Sequence, residues 1–422
     1  MKNNHKYRGK KRRRNIWNYF IPKKAGIITG AADNDPSGIV TYTQAGAASG
    51  FSLLWLMIIS LPMLISVEEM SARVGVVAKK GLNKLIAEKF GIRWASFAAL
   101  IVLICNVLTI AADIAGMGEV AGTLTGVSLI WYVLLFGLIF LYLLISKGYR
   151  AVSRLLLIIT PIFLLYIVSA FLIDVPWKEV VMSTFMPSLN FLQSSDLILI
   201  AVGVMGTTIS PYLIFWQTTE EIEDHKTVDE LDDETAGVVS GMFFCQIIFY
   251  FIIVAAAAVF FGQNKLLDSP GEAAMALKPL AGDLAFLLFS VGIVGSGFMS
   301  VPVLAASTAY VVADTFSWKE GLEKKAWEAQ GFYGVILLSI VGGVAIALSG
   351  IDAITMLFLT QVLNGVLVPI LLIFLLSITS DEKIMGKHKN APIVTWMGWI
   401  TFSIMVLFDL VLFWDLAKNY LM

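Results

Sequence analysis

A hexapeptide near the N-terminus, Asp33-Asn34-Asp35-Pro36-Ser37-Gly38, combines two carboxylates with a residue order that interrupts a helix. Proline lacks a backbone donor and clashes with the preceding turn, so we expect the chain to unwind here and leave carbonyl oxygens free. A carboxylate beside free carbonyl oxygens is a ligand set suited to a hard cation. The segment therefore predicts a cation site, with either Asp33 or Asp35 as its anchor.

A second stretch, residues 203–211, is rich in glycine and hydroxyl side chains and also ends in a proline. Thr207, Thr208 and Ser210 lie within it, so its unwinding would add hydroxyl and carbonyl oxygens to such a site. Each stretch alone is compatible with a simple proline kink. Two interruptions, one of them carrying two aspartates, favour a binding site, because an ionisable residue at membrane depth is costly.

Helices in a lipid bilayer must position these residues. The chain has 422 residues, of which 58% are hydrophobic and 14% are charged, whereas a soluble domain has about 25% charged residues. A span needs about 20 mostly apolar residues, and the sequence on that basis predicts an all-α polytopic membrane protein with about eleven spans. Numbered span 1 to span 11, they cover residues 25–48, 52–76, 95–119, 128–146, 152–173, 194–218, 237–261, 283–314, 331–350, 353–378 and 393–417.

The two interruptions fall in span 1 and span 6, five spans apart. Broken helices at matching positions of two halves are typical of an inverted repeat. We expect repeat one at residues 25–173, repeat two at 194–378 and an extra helix at 393–417, all in one transmembrane domain at 23–422. Residues 1–22 are rich in lysine and arginine and predict a basic arm beside the membrane.

Lysine and arginine in short loops predict the orientation. Basic residues precede span 1 and follow spans 2, 4, 8 and 10, which places the N-terminus in the cytoplasm of a protein of the cell membrane. One predicted cytoplasmic loop differs, because residues 220–234 carry a run of acidic side chains. Such a run is either a solvated loop or a vestibule that attracts cations by focusing the electric field.

Other polar residues within the spans are weaker indications. Asp113 and Glu119 in span 3 are six residues apart and do not share one helix face closely. Asp113 is a candidate for the passage of ions or protons, because buried carboxylates in spans mark such pathways. Glu69 lies four residues before Arg73 in span 2, which is the spacing of a structural ion pair on one helix face.

Span 10 contributes two amides, Gln361 and Asn364, which are three residues apart and face the same side. Amides inside a span either contact a hydrated ion or join neighbouring helices through hydrogen bonds. Both interpretations remain open from the sequence.

Several functional classes find no support. The chain has no Walker A loop, no His-Glu-x-x-His and no Gly-x-Ser-x-Gly motif, so it is predicted to be neither an enzyme nor a cofactor-binding protein. Its net charge of −1 gives no reason to expect nucleic acid as a partner. Cys105 and Cys245 lie in apolar runs and predict small buried residues. The sequence defines no oligomeric state and is compatible with a monomer.

These residues together resemble the Nramp family of divalent metal transporters over nearly all the spans. Asp35-Pro36-Ser37-Gly38 lies where that family has Asp-Pro-Gly-Asn, and residues 70–75 look like its Leu-Ser-Ala-Arg-Leu-Gly stretch. Residues 361–364 are similar to its span 10 pattern, and residues 207–212 align with its Ala-x-x-Met-Pro-His. The resemblance implies a LeuT-type fold, a 5+5 inverted repeat with an added helix, and a metal-binding role for Asp35.

The departures from the family pattern indicate which branch of the family the chain resembles. Gly38 replaces the family's asparagine, Ser210 replaces its thioether ligand, and Thr207 replaces the small residue that lends a carbonyl. Tyr212 replaces its histidine, and Gly116 replaces an acid three residues after Asp113. Sulfur ligands favour soft transition metals, whereas oxygen ligands suit Mg²⁺, Ca²⁺ and Mn²⁺. The pattern resembles the Nramp-related magnesium transporters.

The sequence therefore predicts a transporter that takes up Mg²⁺ and Mn²⁺, as substrates rather than cofactors, without proton coupling. Asp35, Thr207, Thr208 and Ser210 are the expected site residues, in space opened by Gly38. Residues expected in the outer shell or along the pathway are Gln361, Asn364, Tyr212, Asp113, Glu119 and Glu69. The alternatives are a proton-coupled Mn²⁺/Fe²⁺ symporter, a sodium-coupled carrier of organic solutes, and a channel or membrane scaffold.

Overall fold

The structure, a computed structural model, describes residues 33–146, 160–262 and 285–421, together with Gly30, Leu267, Ala273 and Gly282. All regular secondary structure in that part is helical. The predicted basic arm, the start of span 1, the basic residues expected after span 4 and the first part of span 5 lie outside the described residues.

Most of the described chain forms long helices. They are Pro36–Ser49, Leu54–Ala78, Ile92–Thr125, Leu129–Ser146, Ser195–Thr208, Pro211–Glu223, Leu231–Phe260, Ala285–Phe316, Gln330–Ala347, Ala353–Thr379 and Pro392–Leu421. Shorter α-helices lie at Leu82–Phe90, Leu164–Leu172, Trp177–Phe185 and Glu382–Met385, and 3-10 turns at Thr160–Phe163, Asn190–Gln193, Val228–Glu230 and Gly386–His388. Among the described residues, 9 segments are long and apolar enough to cross a membrane, and they correspond to spans 2, 3, 4 and 6 to 11.

Both predicted helix interruptions are present. In span 1, residues 33–35 are not helical, and the helix Pro36–Ser49 starts with proline at its first position and Asp35 as its N-cap. Span 6 is split into Ser195–Thr208 and Pro211–Glu223, with Ile209 and Ser210 between the halves. Proline is favoured at the first helical position because the backbone donor it lacks would have no partner there.

The acidic run at residues 220–234 differs from the expectation of a solvated loop. The second half of span 6 continues to Glu223 and span 7 starts at Leu231, so only residues 224–230 connect them. Glu220, Glu221 and Glu234 are buried, and the loop interpretation is wrong for these three. The physical reason is packing: span 6 continues beside span 2, where the Thr218 hydroxyl donates to the Ser71 carbonyl over 3.1 Å.

The broken helices lie at the centre of the bundle. Span 6 is almost fully buried, whereas span 11 and span 4 are largely exposed. A Cβ atom at Gly206 would overlap the carbonyl oxygen of Gln361 and the backbone of Gly365, so spans 6 and 10 are in backbone contact. Large apolar side chains such as Trp396 and Trp414 are exposed on the outside, as expected for a surface that faces lipid.

Candidate metal site

Asp35 lies at the non-helical point of span 1 and is buried. Its Oδ1 accepts a hydrogen bond from the backbone amide of Gly38 over 2.5 Å, which closes the N-terminus of the helix Pro36–Ser49. This is the ordinary geometry of an aspartate N-cap. The cap holds the carboxylate in a fixed orientation at the centre of the protein, at the end of a helix whose dipole favours negative charge.

Span 10 supplies the partner of the other Asp35 oxygen. Gln361 Nε2 donates to Asp35 Oδ2 over 3.1 Å, and Asn364 Nδ2 donates to Gln361 Oε1 over 3.0 Å. Both amides are buried. Because the two residues are three positions apart, their side-chain amides form a chain of hydrogen bonds that ends at the Asp35 carboxylate. Gln361 contacts Asp35 directly, and Asn364 contacts Gln361.

Thr207 from span 6 faces Asp35 across Gly38. An ideal Cβ atom built on Gly38 would lie 2.7 Å from Asp35 Oδ1 and 2.7 Å from Thr207 Oγ1. The Thr207 hydroxyl is buried and has no hydrogen-bond partner in the part of the chain that the structure describes. Buried polar atoms are nearly always paired, so this hydroxyl oxygen is available to a water molecule or an ion.

The other two hydroxyl candidates are engaged with the protein. Thr208 donates to the Val204 carbonyl over 2.7 Å and lies 2.8 Å from the Tyr42 hydroxyl. Ser210 Oγ donates to the Thr207 carbonyl over 2.9 Å. In this conformation both hydroxyls stabilise the interrupted backbone of span 6, while their oxygen atoms keep lone pairs that can accept from water.

Asp113 approaches the break in span 1 from span 3. Ser37 donates to Asp113 Oδ1 through its hydroxyl over 2.7 Å and through its backbone amide over 3.2 Å. Ser300 of span 8 donates to Asp113 Oδ2 over 2.7 Å. Two residues after the anchor Asp35, Ser37 therefore links the break to a second buried carboxylate.

Of the remaining pathway candidates, Tyr212 is buried and close enough to Asp35 for an electrostatic interaction, and its carbonyl accepts a hydrogen bond from Ser307 over 3.1 Å. Glu119 and Glu69 are not among the hydrogen-bond partners of Asp35. Glu119 is only partly buried near the end of span 3. Glu69 forms an ion pair with Arg73, whose guanidinium also donates to the carbonyl of His388 over 3.3 Å. The predicted structural pair between Glu69 and Arg73 is confirmed.

Some residues near the break were not predicted from the sequence. Cys245 of span 7 donates from Sγ to Asp33 Oδ2 over 3.2 Å, and Asn34 Nδ2 donates to the Gly30 carbonyl over 2.9 Å. Neither Cys245 nor Ser300 carries a local signal, since each is a small residue within an apolar run. Cys245 was predicted as a small buried residue, which is confirmed.

The chemistry of the centre is that of one charged oxygen ligand among neutral oxygens. Within the described ranges, no group of three or more His, Cys, Asp or Glu side chains could hold a metal ion. A metal ion beside Asp35 would therefore rely on a single carboxylate, hydroxyl and carbonyl oxygens, and water.

Similar proteins are membrane transporters. The divalent metal cation transporter MntH of Deinococcus radiodurans is 26% identical over 405 residues, which cover 92% of this chain and 88% of that protein. The manganese transporter of Eremococcus coleocola superposes with a TM-score of 0.76 at 20% identity, covering 95% of this chain and 87% of that one.

MhsT, solved in complex with L-phenylalanine, matches with a TM-score of 0.62 at 14% identity, covering 92% of this chain and 98% of that one. These likenesses confirm the LeuT-type fold with interrupted spans 1 and 6. The family model described as natural resistance-associated macrophage protein-like (Nramp) matches residues 26–415. Since this match covers most of its length, the chain belongs to the Nramp family.

Proposed function

We propose that this protein transports divalent metal cations across the cell membrane, with Mg²⁺ and Mn²⁺ as substrates. The observation that carries the proposal is the Asp35 carboxylate facing the unpaired Thr207 hydroxyl across Gly38 at the crossing of the two broken spans. Relatives described as divalent metal cation transporters and a similar structure described as a manganese transporter support the metal as the substrate class.

The ligand chemistry supports a hard ion. The groups around Asp35 that can contact an ion are carboxylate, hydroxyl, amide and carbonyl oxygens, and Ser210 stands where the family pattern has a thioether. Oxygen ligands suit Mg²⁺ and Mn²⁺, whereas thioethers favour softer ions. Because Gly38 has no side chain, the Asp35 carboxylate and the Thr207 hydroxyl can approach each other closely enough to face the same ion.

The membrane potential is a sufficient driving force for uptake. An inside-negative potential favours entry by about 2.3 kcal/mol per charge per 100 mV, hence by about 4.6 kcal/mol for a divalent ion. We propose transport without a coupled proton, with the N-terminus in the cytoplasm and with spans 1 and 6 rocking against the other helices to alternate access.

A second candidate is a proton-coupled Mn²⁺ symporter. The observation that favours it is Asp113, a buried carboxylate that Ser37 links to the break in span 1. Carboxylates in such positions serve as proton relays in transporters. In that case proton influx would accompany metal uptake, and Asp113→Asn would remove it.

The test is metal uptake into proteoliposomes at a fixed inside-negative potential, with a pH-sensitive dye inside. Asp35→Asn removes the charge but keeps an N-cap acceptor, and we expect it to abolish Mn²⁺ and Mg²⁺ uptake. Asp352→Asn is the matched control, because Asp352 is an exposed aspartate that caps span 10 in the same way. Uptake by Asp35→Asn at the wild-type rate refutes the transport site, and proton influx in fixed ratio to metal uptake favours the symporter.

A further inference from the structure

Glu68 of span 2 is a buried carboxylate with no ion-pair partner among the described residues. Its side chain is fully buried, and neither of its oxygens has a hydrogen-bond partner among the described residues. Its neighbour Glu69 differs, since Glu69 is paired with Arg73 on another face of the helix. An ionised carboxylate that is buried without a partner is strongly unfavourable, so a cation beside Glu68 would stabilise its charged form.

The residues around Glu68 add further acceptors rather than donors. Asp33, at the break in span 1, is close enough for the two charges to repel each other. Asp33 Oδ1 and Asn34 Oδ1 are buried and also have no partner in the described part of the chain. Unsatisfied oxygen acceptors from spans 1 and 2 thus lie close together around Asp33, and none of them takes part in the hydrogen bonds of Asp35.

Beyond Glu68, carboxylates continue along span 6. Glu220 is buried and close enough to Glu68 for their charges to repel. The hydrogen bond from Thr218 to the Ser71 carbonyl fixes the two helices at this level. Glu221 follows; its Oε1 accepts from Gln217 over 2.8 Å, and its Oε2 has no partner within the described ranges.

The row of carboxylates ends near the surface. Glu234, at the start of span 7, pairs with Lys226 over 2.7 Å. Lys226 lies in the connection at residues 224–230, which the predicted orientation places in the cytoplasm. A row of buried carboxylates therefore extends from the break in span 1 to a predicted cytoplasmic loop. The ion pair between Glu234 and Lys226 lies at the end of this row that is nearest the loop.

We propose that Asp33, Asn34 and Glu68 form a second station for a hydrated divalent cation, from which the ion passes along Glu220 and Glu221 to the cytoplasm. The proposal rests on the proposed transport function and adds a site to it. The described residues contain no set of three acidic, His or Cys ligands that could enclose a bare ion. The station therefore binds its ion largely through water, as Mg²⁺ is usually held.

Counting bound Mn²⁺ tests the second station directly. We expect the full-length protein in detergent to bind two Mn²⁺ ions at saturation, measured by the loss of the free-ion electron paramagnetic resonance signal. Glu68→Gln, which keeps the size of the side chain and removes its charge, should bind one ion, and so should Asp35→Asn. Glu68→Asp, which keeps the charge, should still bind two. One ion bound by the wild type overturns the proposal, even if Glu68→Gln fails to fold.

Transport by the same variants separates this proposal from the proposed function. Glu68→Gln should lower the maximal rate of Mn²⁺ uptake about tenfold while the half-saturating Mn²⁺ concentration stays within about threefold of the wild-type value, because entry to Asp35 is unchanged. Glu382→Gln is the matched control, since Glu382 is exposed.

Wild-type uptake by Glu68→Gln overturns the second station and leaves the Asp35 site standing, whereas wild-type uptake by Asp35→Asn overturns the proposed function itself. Loss of proton influx alone in Glu68→Gln, with two ions still bound, would make Glu68 a proton relay and also overturn the proposal.

Discussion

Gly38→Ala places a methyl group in the gap between the Asp35 carboxylate and the Thr207 hydroxyl. The new Cβ atom would lie 2.7 Å from Asp35 Oδ1 and 2.7 Å from Thr207 Oγ1, whereas ordinary van der Waals contact of a Cβ atom begins at 3.4 Å. Each oxygen would therefore have to retreat by about 0.7 Å, the difference between 3.4 and 2.7 Å. Overpacking of this size costs about 1–3 kcal/mol, so we expect a folded but less stable protein.

The same methyl group would displace the two oxygens that we assign to the ion and its water. We expect Gly38→Ala to lower Mg²⁺ uptake into proteoliposomes at least about tenfold, which corresponds to about 1.4 kcal/mol. Gly334→Ala is the matched control, because nothing lies within 4 Å of a Cβ atom at Gly334 in span 9. Its uptake should stay at the wild-type level. Wild-type Mg²⁺ uptake by Gly38→Ala would refute the assignment of these two oxygens to the ion.

Two further predictions concern the framework. Gly206→Ala should lose both thermal stability and uptake, because its Cβ atom would overlap the Gln361 carbonyl and separate span 10 from span 6; a melting temperature equal to that of the wild type would contradict the close contact. Burial raises the pKa of Glu320, in the connection between spans 8 and 9, from its ordinary value of 4.5 to about 7. The folded protein then holds this proton more tightly than the unfolded chain, so stability falls as pH rises from about 4.5 to 7. Glu320→Gln should therefore raise the melting temperature in detergent more at pH 8 than at pH 5. The corresponding gain in the free energy of unfolding has an upper limit of about 3 kcal/mol. An equal change in melting temperature at both pH values would contradict this.

The parts of the site that the sequence predicted depend on local rules. Pro36 and Pro211 each start a helix after a short break, as their missing backbone donors require. Gln361 and Asn364 share a helix face because they are three residues apart, and the structure joins them by a hydrogen bond. The Glu69–Arg73 pair follows from the i, i+4 spacing in the same way.

The parts that the sequence did not predict depend on contacts between distant segments. Ser300 donates to Asp113 across 187 positions, and Cys245 donates to Asp33 across 212. No spacing rule brings such residues together. Glu220 is polar and lies in an acidic run, which favours exposure, yet packing of span 6 beside span 2 buries it. Tertiary packing thus overrides the local pattern here.

Uptake of Mg²⁺ and Fe²⁺ by proteoliposomes of the wild type and of Ser210→Met tests the central claim most directly. An oxygen-lined site anchored by Asp35 should carry Mg²⁺ and Mn²⁺ in the wild type and little Fe²⁺, because hard ions match oxygen ligands. Introducing a thioether at position 210 should raise Fe²⁺ uptake relative to Mg²⁺. Strong Fe²⁺ uptake together with no Mg²⁺ uptake by the wild type would contradict the account.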